Sequence, residues 1–218
     1  MNRISPFKQA LLSIALCLTF VHGAYCQYIK PMQNPISDAD RLLLTEVLQS
    51  TDGPAIYAED WLLIISVARQ RMVVAQGNAI KKVYTISTAK AGVGSLENSG
   101  KTPLGWHQVT EWIGKEALAG QVFVSRKPTS EIIPHTNWSE SKSKDKVLTR
   151  IMWLSGLEPG RNKGGNVDSH NRFIYLHGTN QEHLLGSPAS HGCIRLYNHN
   201  VIELFEMTNG STTYCLIK

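Results

Sequence analysis

From Trp61 onward the sequence divides into short runs rich in β-branched and aromatic residues, and this pattern restricts the fold most. Runs of this length are typical of strands, and Gln76-Gly77-Asn78 between two of them is typical of a hairpin turn. The runs lie at 61–67, 71–75, 79–87, 106–113, 121–125, 147–154, 173–177 and 212–217. We therefore predict a mainly β fold.

Two segments have helical character instead. Ser37 and Asp40 resemble a capping box before a helix over 38–49, whose leucines and valine lie on one face. A second helix is expected over 201–208, with Asn200 as its cap and Gly210 just beyond its end. With these, the architecture is mainly β with two or three peripheral helices.

The N-terminus has the pattern of a secretory signal peptide. Basic Arg3 and Lys8 precede an apolar run over 10–21, and small residues follow. The run is shorter than the roughly 20 apolar residues that a permanent membrane-spanning helix needs. We therefore predict a signal peptide over 1–26 and an exported protein with no stable membrane span after cleavage. A helical extension over 27–59 and one domain over 60–218 complete the predicted organisation.

Charge and cysteine content narrow the classes of function. The formal charge is +5 at pH 7, but the basic residues are scattered rather than clustered in a stripe, so we predict no nucleic-acid partner. Cys17 and Cys26 lie in or beside the predicted leader, which leaves Cys193 and Cys215. Cys215 alternates with apolar neighbours and is expected to be buried. A disulfide between these two remains an alternative in an oxidising compartment.

Near the C-terminus, histidine, cysteine and glycine lie in one short stretch. His177 is followed by Gly178, and Cys193 closes the run Ser190-His191-Gly192-Cys193. A cysteine nucleophile needs a base that raises its thiolate fraction and donors that hold the oxyanion formed after attack. Because glycine allows a sharp turn, successive backbone N–H groups can converge beside the sulfur. The stretch therefore predicts a thiol-based catalytic site.

A zinc site is the main alternative for the same side chains. His191 and Cys193 can share one face of a strand, with His177 and His183 completing a tetrahedral set. The CxxC and HxxxH spacings typical of zinc are absent, and glycines beside the ligands favour loops, so we predict no metal and no cofactor. Taken singly, the histidine and the cysteine would more often be structural residues. In this sequence the histidine precedes the cysteine, whereas in papain-type hydrolases the cysteine precedes the histidine.

At these residues the sequence resembles the L,D-transpeptidase (YkuD-type) catalytic domain. That family's pattern is a histidine, a short gap, then Ser/Thr-His-Gly-Cys, an apolar residue and Arg or Asn; here it reads His177, then Ser190-His191-Gly192-Cys193-Ile194-Arg195. Upstream, 63–72 is similar to the family's opening hairpin and Thr102-Pro103-Leu104-Gly105 to its Thr-Pro-x-Gly turn. The resemblance covers about 60–218 and implies a β-sandwich or barrel-like fold.

The resemblance also implies a reaction, a substrate and a location. It implies an exported enzyme of peptidoglycan metabolism, in the periplasm or cell-wall space, that acts on stem peptides. Cys193 would attack the amide between an L-centre and a D-centre, typically diaminopimelate–D-Ala, and form an acyl-enzyme. The acyl group would pass to an amine of a second stem or of an acceptor protein. An L,D-carboxypeptidase, an amidase releasing wall-attached protein, and a non-catalytic wall-binding protein remain alternatives.

Roles for the individual residues follow from the resemblance and from their chemistry. His177 is expected to be the base, oriented by the Gly178 carbonyl, and the N–H groups of His191, Gly192 and Cys193 to form the oxyanion site.

The residues that flank this stretch are expected to bind substrate, shape the loop or pack. Arg195 either binds a substrate carboxylate or forms a structural ion pair that fixes the loop, and Ser190 shapes that loop. Tyr175 is either a pocket wall or a core residue, and Trp106 and Trp112 are expected to pack. The polar stretch 126–146 is expected to be a lid or surface insertion that influences acceptor choice.

Overall fold

The computed structural model describes residues 34–139 and 144–218. The predicted signal peptide, Cys17 and Cys26 lie outside these described residues. Within the described ranges, no helix is both long and apolar enough to cross a membrane.

The described residues form ten strands and two α-helices. The helices are α1 (Asp38–Gln49) and α2 (Asn198–Thr208). The strands are β1 (Trp61–Ser66), β2 (Arg71–Gln76), β3 (Ala79–Thr85), β4 (Gly105–Ile113), β5 (Gln121–Val124), β6 (Lys127–Ile132), β7 (Val147–Gly156), β8 (Tyr175–Gly178), β9 (Ile194–Leu196) and β10 (Thr213–Ile217). The prediction of a mainly β fold with peripheral helices is therefore confirmed.

All ten strands belong to one mixed sheet that branches at β7. Its main path runs β3-β2-β1-β10-β4-β7-β5-β6, and β8 pairs with β7 away from this path. Neighbouring strands are antiparallel except in two pairs, β1 with β10 and β8 with β9. The pair β8–β9 positions the predicted site residues, because it places the strand that carries His177 directly beside the strand that follows Cys193.

Both faces of the central part of the sheet are buried, and one helix covers each face. Alternate residues of β1 point to opposite faces: Leu63 and Ile65 join one apolar cluster with Phe205 of α2. Leu62 and Ile64 join a second cluster with residues of α1. This explains why β1 is a continuous apolar run instead of an alternating one.

Helix α1 begins as predicted and is fixed to the sheet by charge. The Ser37 side chain accepts from the Asp40 backbone, and the Asp40 carboxylate accepts from the Ser37 backbone, which completes the capping box. Asp40 is buried and pairs with Arg69 and Arg71. Burial opposes ionisation of Asp40, but hydrogen bonds from Arg71 and Ser37 outweigh it and hold its pKa below the usual range.

One strand was not predicted from the sequence, and the predicted start of the second helix was wrong. The polar stretch after Arg126 contains β6, which pairs with β5 at the edge of the sheet. The second helix begins at Asn198, with Tyr197 rather than Asn200 before it, and the buried amide of Asn200 has no hydrogen-bond partner within the part of the chain that is described.

Candidate active site

Cys193 lies at the turn into β9, where the main chain of Phe173 and Tyr175, at the start of β8, holds its sulfur. The Tyr175 N–H donates to Sγ at 3.4 Å, and the thiol donates to the Phe173 carbonyl at 3.3 Å. Burial raises the pKa of the thiol to about 11, although the Tyr175 N–H and nearby Arg172 act in the opposite direction. Cys193 and Cys215 are both free, so the alternative of a disulfide between them is wrong for this structure.

His177 lies on β8, in register with Arg195 of β9, and its ring is almost fully buried. Its Nδ1 lies 2.7 Å from the Gly178 carbonyl oxygen. Since a carbonyl can only accept, Nδ1 carries the hydrogen, and the Nε2 lone pair is left available for a proton. Burial lowers the pKa of His177, while Asp145 and the Gly178 carbonyl raise it. The resting imidazole is therefore neutral.

The parallel pairing of β8 and β9 places Cys193 beside the strand that carries His177, two positions before His177 in the register. Cys193 lies two residues before Arg195, just as Tyr175 lies two residues before His177. Among the described residues, no hydrogen bond joins the His177 ring to the thiol. The arrangement provides a neutral base and a neutral thiol in one small region.

Position 178 requires glycine because neighbouring atoms lie too close to its Cα to leave room for a Cβ. A Cβ at this position would lie 2.2 Å from Asn198 Oδ1 and 3.0 Å from the Leu148 carbonyl oxygen. The Asn198 amide is itself held in place, since it donates to the Thr179 carbonyl and to Glu182 and accepts from Thr149. This buried network holds the end of β8, and with it the carbonyl that orients His177.

Ser190 shapes the turn that leads to the thiol. Its hydroxyl donates to the Cys193 carbonyl at 2.6 Å and accepts from the Gly192 N–H at 3.2 Å. The Gly192 N–H is therefore already used within the turn, against the prediction that it faces the oxyanion. The N–H groups of His191 and Cys193 have no acceptor within the described ranges, and they remain candidates for that role. The His191 side chain is exposed.

Thr102 ties this turn to the neighbouring loop. Its hydroxyl donates to the Gly192 carbonyl at 2.9 Å and accepts from the Ala89 N–H at 3.0 Å, and all of these groups are buried. The sequence analysis identified 102–105 only as a turn similar to one in the family. The structure gives the threonine a direct contact with the Ser-His-Gly-Cys segment.

Arg195 is fully buried and pairs within the protein. Its guanidinium lies 3.1 Å from Asp145 and donates to Gln181 at 3.0 Å and to Ser87 at 2.9 Å. A guanidinium with 0% exposure and these partners does not face a substrate carboxylate. The predicted substrate contact is thus not supported, and the alternative of an ion pair that fixes the loop describes its surroundings. Nothing in the sequence around Asp145 indicated this pairing.

The aromatic residues divide into two groups. Tyr175 and Trp153 are buried in a cluster on which the Cys193 side chain packs. Trp106 belongs instead to the cluster under α1, and Trp112 packs beside the cluster under α2, so the packing interpretation holds for both. The proposed zinc donors, including His183, are not gathered together, since no group of three His, Cys, Asp or Glu suited to a metal ion occurs among the described residues.

The chain was compared with protein-family models and with known proteins. The model of the L,D-transpeptidase catalytic domain matches residues 60–214. A putative L,D-transpeptidase, YqjB of Bacillus subtilis (strain 168), is 26% identical over 95 residues, which cover 41% of this chain and 54% of that protein. The chain therefore matches only about half the length of this curated relative.

Solved structures of similar proteins share low sequence identity with the chain. An L,D-transpeptidase from Mycobacterium smegmatis is 16% identical, with a TM-score of 0.44 over 72% of this chain and 58% of that one. A C442S mutant of the Enterococcus faecium L,D-transpeptidase is also 16% identical, with a TM-score of 0.44 over 73% and 50%. The match across residues 60–214 decides the assignment: the chain belongs to the L,D-transpeptidase catalytic domain family, a family of enzymes.

Proposed function

We propose that this protein is a cysteine acyltransferase that acts on peptidoglycan stem peptides. The observation that carries the proposal is the position of the His177 ring, whose Nδ1 is held by the Gly178 carbonyl, on the strand adjacent to the Cys193 turn. The family membership supplies the substrate class, because L,D-transpeptidases act on peptidoglycan stems.

The proposed reaction has two acyl-transfer steps. His177 Nε2 takes the thiol proton as Cys193 Sγ attacks the diaminopimelate carbonyl, and N–H groups at 191 and 193 hold the oxyanion. The C–N bond then breaks, D-Ala leaves with the proton from the imidazolium, and a thioester remains. An acceptor amine attacks the thioester, gives its proton to His177, and releases the Cys193 thiol.

The proposal extends to where the protein works and what it meets. The N-terminal pattern over 1–26 supports export to the periplasm or cell-wall space. The partners are a stem peptide as donor and a second stem or a protein amine as acceptor. The N–H donors and the His177–Cys193 site use no metal, cofactor or nucleic acid in this scheme.

The test is cleavage of tetrapeptide stems by purified protein, followed by mass spectrometry with and without an acceptor stem. Cys193→Ala should abolish release of D-Ala, whereas Cys215→Ala, which removes the other described thiol, should retain it. Cross-linked product requires the acceptor, and product shortened by one residue without an acceptor would identify the carboxypeptidase alternative. Full activity in Cys193→Ala would refute the proposed nucleophile.

A further inference from the structure

The tip of the β5–β6 hairpin carries an arginine in an unusual backbone conformation. Val124 pairs with Lys127, so Ser125 and Arg126 form a two-residue turn, and both have positive φ, +48° and +67°. Asn and Gly are the usual residues in such turns, because a side chain is unfavourable there. Backbone strain of this kind is commonly kept where a side chain has a function.

The Arg126 side chain lies flat against an aromatic platform. Its Cζ is 4.7 Å from the Trp153 ring centroid and 4.9 Å from the Phe173 ring centroid. Its Nη1 also donates to the Tyr175 hydroxyl at 3.4 Å. These three contacts hold the guanidinium by its faces and one edge, a geometry that leaves the other N–H donors of the fork free.

Arg126 differs from the other arginines near the thiol in its partners. Arg195 pairs with Asp145, and Arg172 donates to the carbonyls of Gly94 and Lys101. No carboxylate among the described residues lies within 4.0 Å of Arg126, which is only half-buried. Arg126 is therefore a cation that aromatic contacts hold in place and that forms no ion pair with an acidic side chain among the described residues.

The platform under Arg126 is continuous with the catalytic thiol. The Tyr175 N–H donates to Cys193 Sγ, and the Phe173 carbonyl accepts from it. The same two residues thus contact the sulfur through their main chain and Arg126 through their side chains. Tyr175 and Phe173 therefore connect the position of an acyl group on Cys193 with the guanidinium of Arg126.

We propose that Arg126 binds a carboxylate of the stem peptide and so determines substrate specificity. The inference rests on the proposed function, and it assigns to Arg126 the role that burial makes unavailable to Arg195. Guanidinium recognises carboxylates through paired N–H donors, and free donors on a fixed platform fit this task. A tetrapeptide stem offers two such groups near the scissile amide: the terminal D-Ala carboxylate and the diaminopimelate side-chain carboxylate.

Three substrates distinguish the two sources: the unmodified tetrapeptide, the tetrapeptide with a terminal carboxamide, and the tetrapeptide with an amidated diaminopimelate side chain. For the wild-type enzyme, amidating the bound carboxylate should lower kcat/KM by about 10- to 100-fold. Arg126→Gln should show a similar loss on the unmodified stem, mainly through KM, and should no longer discriminate against that amide. Arg126→Lys should be intermediate, because it keeps the charge without the planar fork.

Lys127→Gln is the matched control, since it removes an exposed charge from the next position of the same hairpin. It should keep the wild-type ratio between the substrates. Equal losses on all three substrates in Arg126→Gln, or the same change in ratio in Lys127→Gln, would overturn the inference while the proposed function stands. A wild-type enzyme that cleaves none of the stems would instead refute the proposed function, and this inference with it. Circular dichroism checks that each variant is folded.

Discussion

Replacing Asp145 by asparagine should destabilise the fold strongly, because it leaves the charge of Arg195 buried without a counter-charge. Arg195 is 0% exposed and the Asp145 side chain 13% exposed, with 3.1 Å between their charged groups. Asparagine keeps the shape and can still accept the hydrogen bond from Thr179. With this oxygen toward Thr179, the amide nitrogen would face Arg195, so the variant removes both the charge and the acceptor that Arg195 uses.

The expected size follows from this burial. Removing one partner of a buried ion pair typically costs about 3–5 kcal/mol, and the slight exposure of Asp145 favours the lower end. We expect a loss of about 3 kcal/mol in the free energy of unfolding. With a urea m-value of roughly 2 kcal/mol/M, the midpoint should fall by about 1–2 M. Tryptophan fluorescence during urea unfolding at pH 7 measures this shift.

Glu131→Gln provides the matched control. Glu131 pairs with Lys146, next to Asp145 in the sequence, but these side chains are 49% and 32% exposed. An exposed pair contributes about 1 kcal/mol or less, so this midpoint should move little. If Asp145→Asn shifts the midpoint no more than Glu131→Gln does, the argument from buried charge is refuted.

Two further predictions concern the turn and the thiol. Thr102→Val should lower kcat, and it should lower the free energy of unfolding by about 1–3 kcal/mol, because the Gly192 carbonyl and the Ala89 N–H lose a buried partner. Thr102→Ser should retain both the activity and the stability. Equal unfolding midpoints for the valine and serine variants would contradict this. Because the raised pKa of Cys193 lowers its thiolate fraction, its alkylation by iodoacetamide should still rise between about pH 9 and 10. Mass spectrometry of the labelled peptide, with Cys193→Ser as blank, measures it, and a plateau by about pH 8.5 would refute it.

The strands could be predicted where burial imposes an apolar pattern. β1 is buried on both faces and reads as a continuous apolar run, so its sequence alone identified it. β6 is an exposed edge strand with lysine, proline and glutamate, and edge strands of this kind carry no apolar period. Its position depends on pairing with β5, which residue patterns do not encode.

The candidate site also combines features that the sequence predicts with features that it does not. His177 and Cys193 were recognised because their chemistry and spacing are local, in one stretch of chain. The contacts of Thr102 with Gly192 and of Arg195 with Asp145 join segments far apart in sequence. Arg195 illustrates the limit: its motif position favoured a substrate contact and an ion pair equally, and only its burial separates them.

In the proposed mechanism, the shifted pKa values of Cys193 and His177 have a consequence for how the thiol survives and reacts. A thiolate is the form that oxidants attack, so a pKa of about 11 keeps Cys193 unreactive at rest in the oxidising compartment that we propose. The same shift makes the thiolate costly to form. Attack must therefore be coupled to proton transfer to His177, whose own lowered pKa disfavours a standing imidazolium. Reactivity then depends on a bound substrate whose developing oxyanion is stabilised by the backbone donors, which links the rate of acylation to correct positioning of the stem.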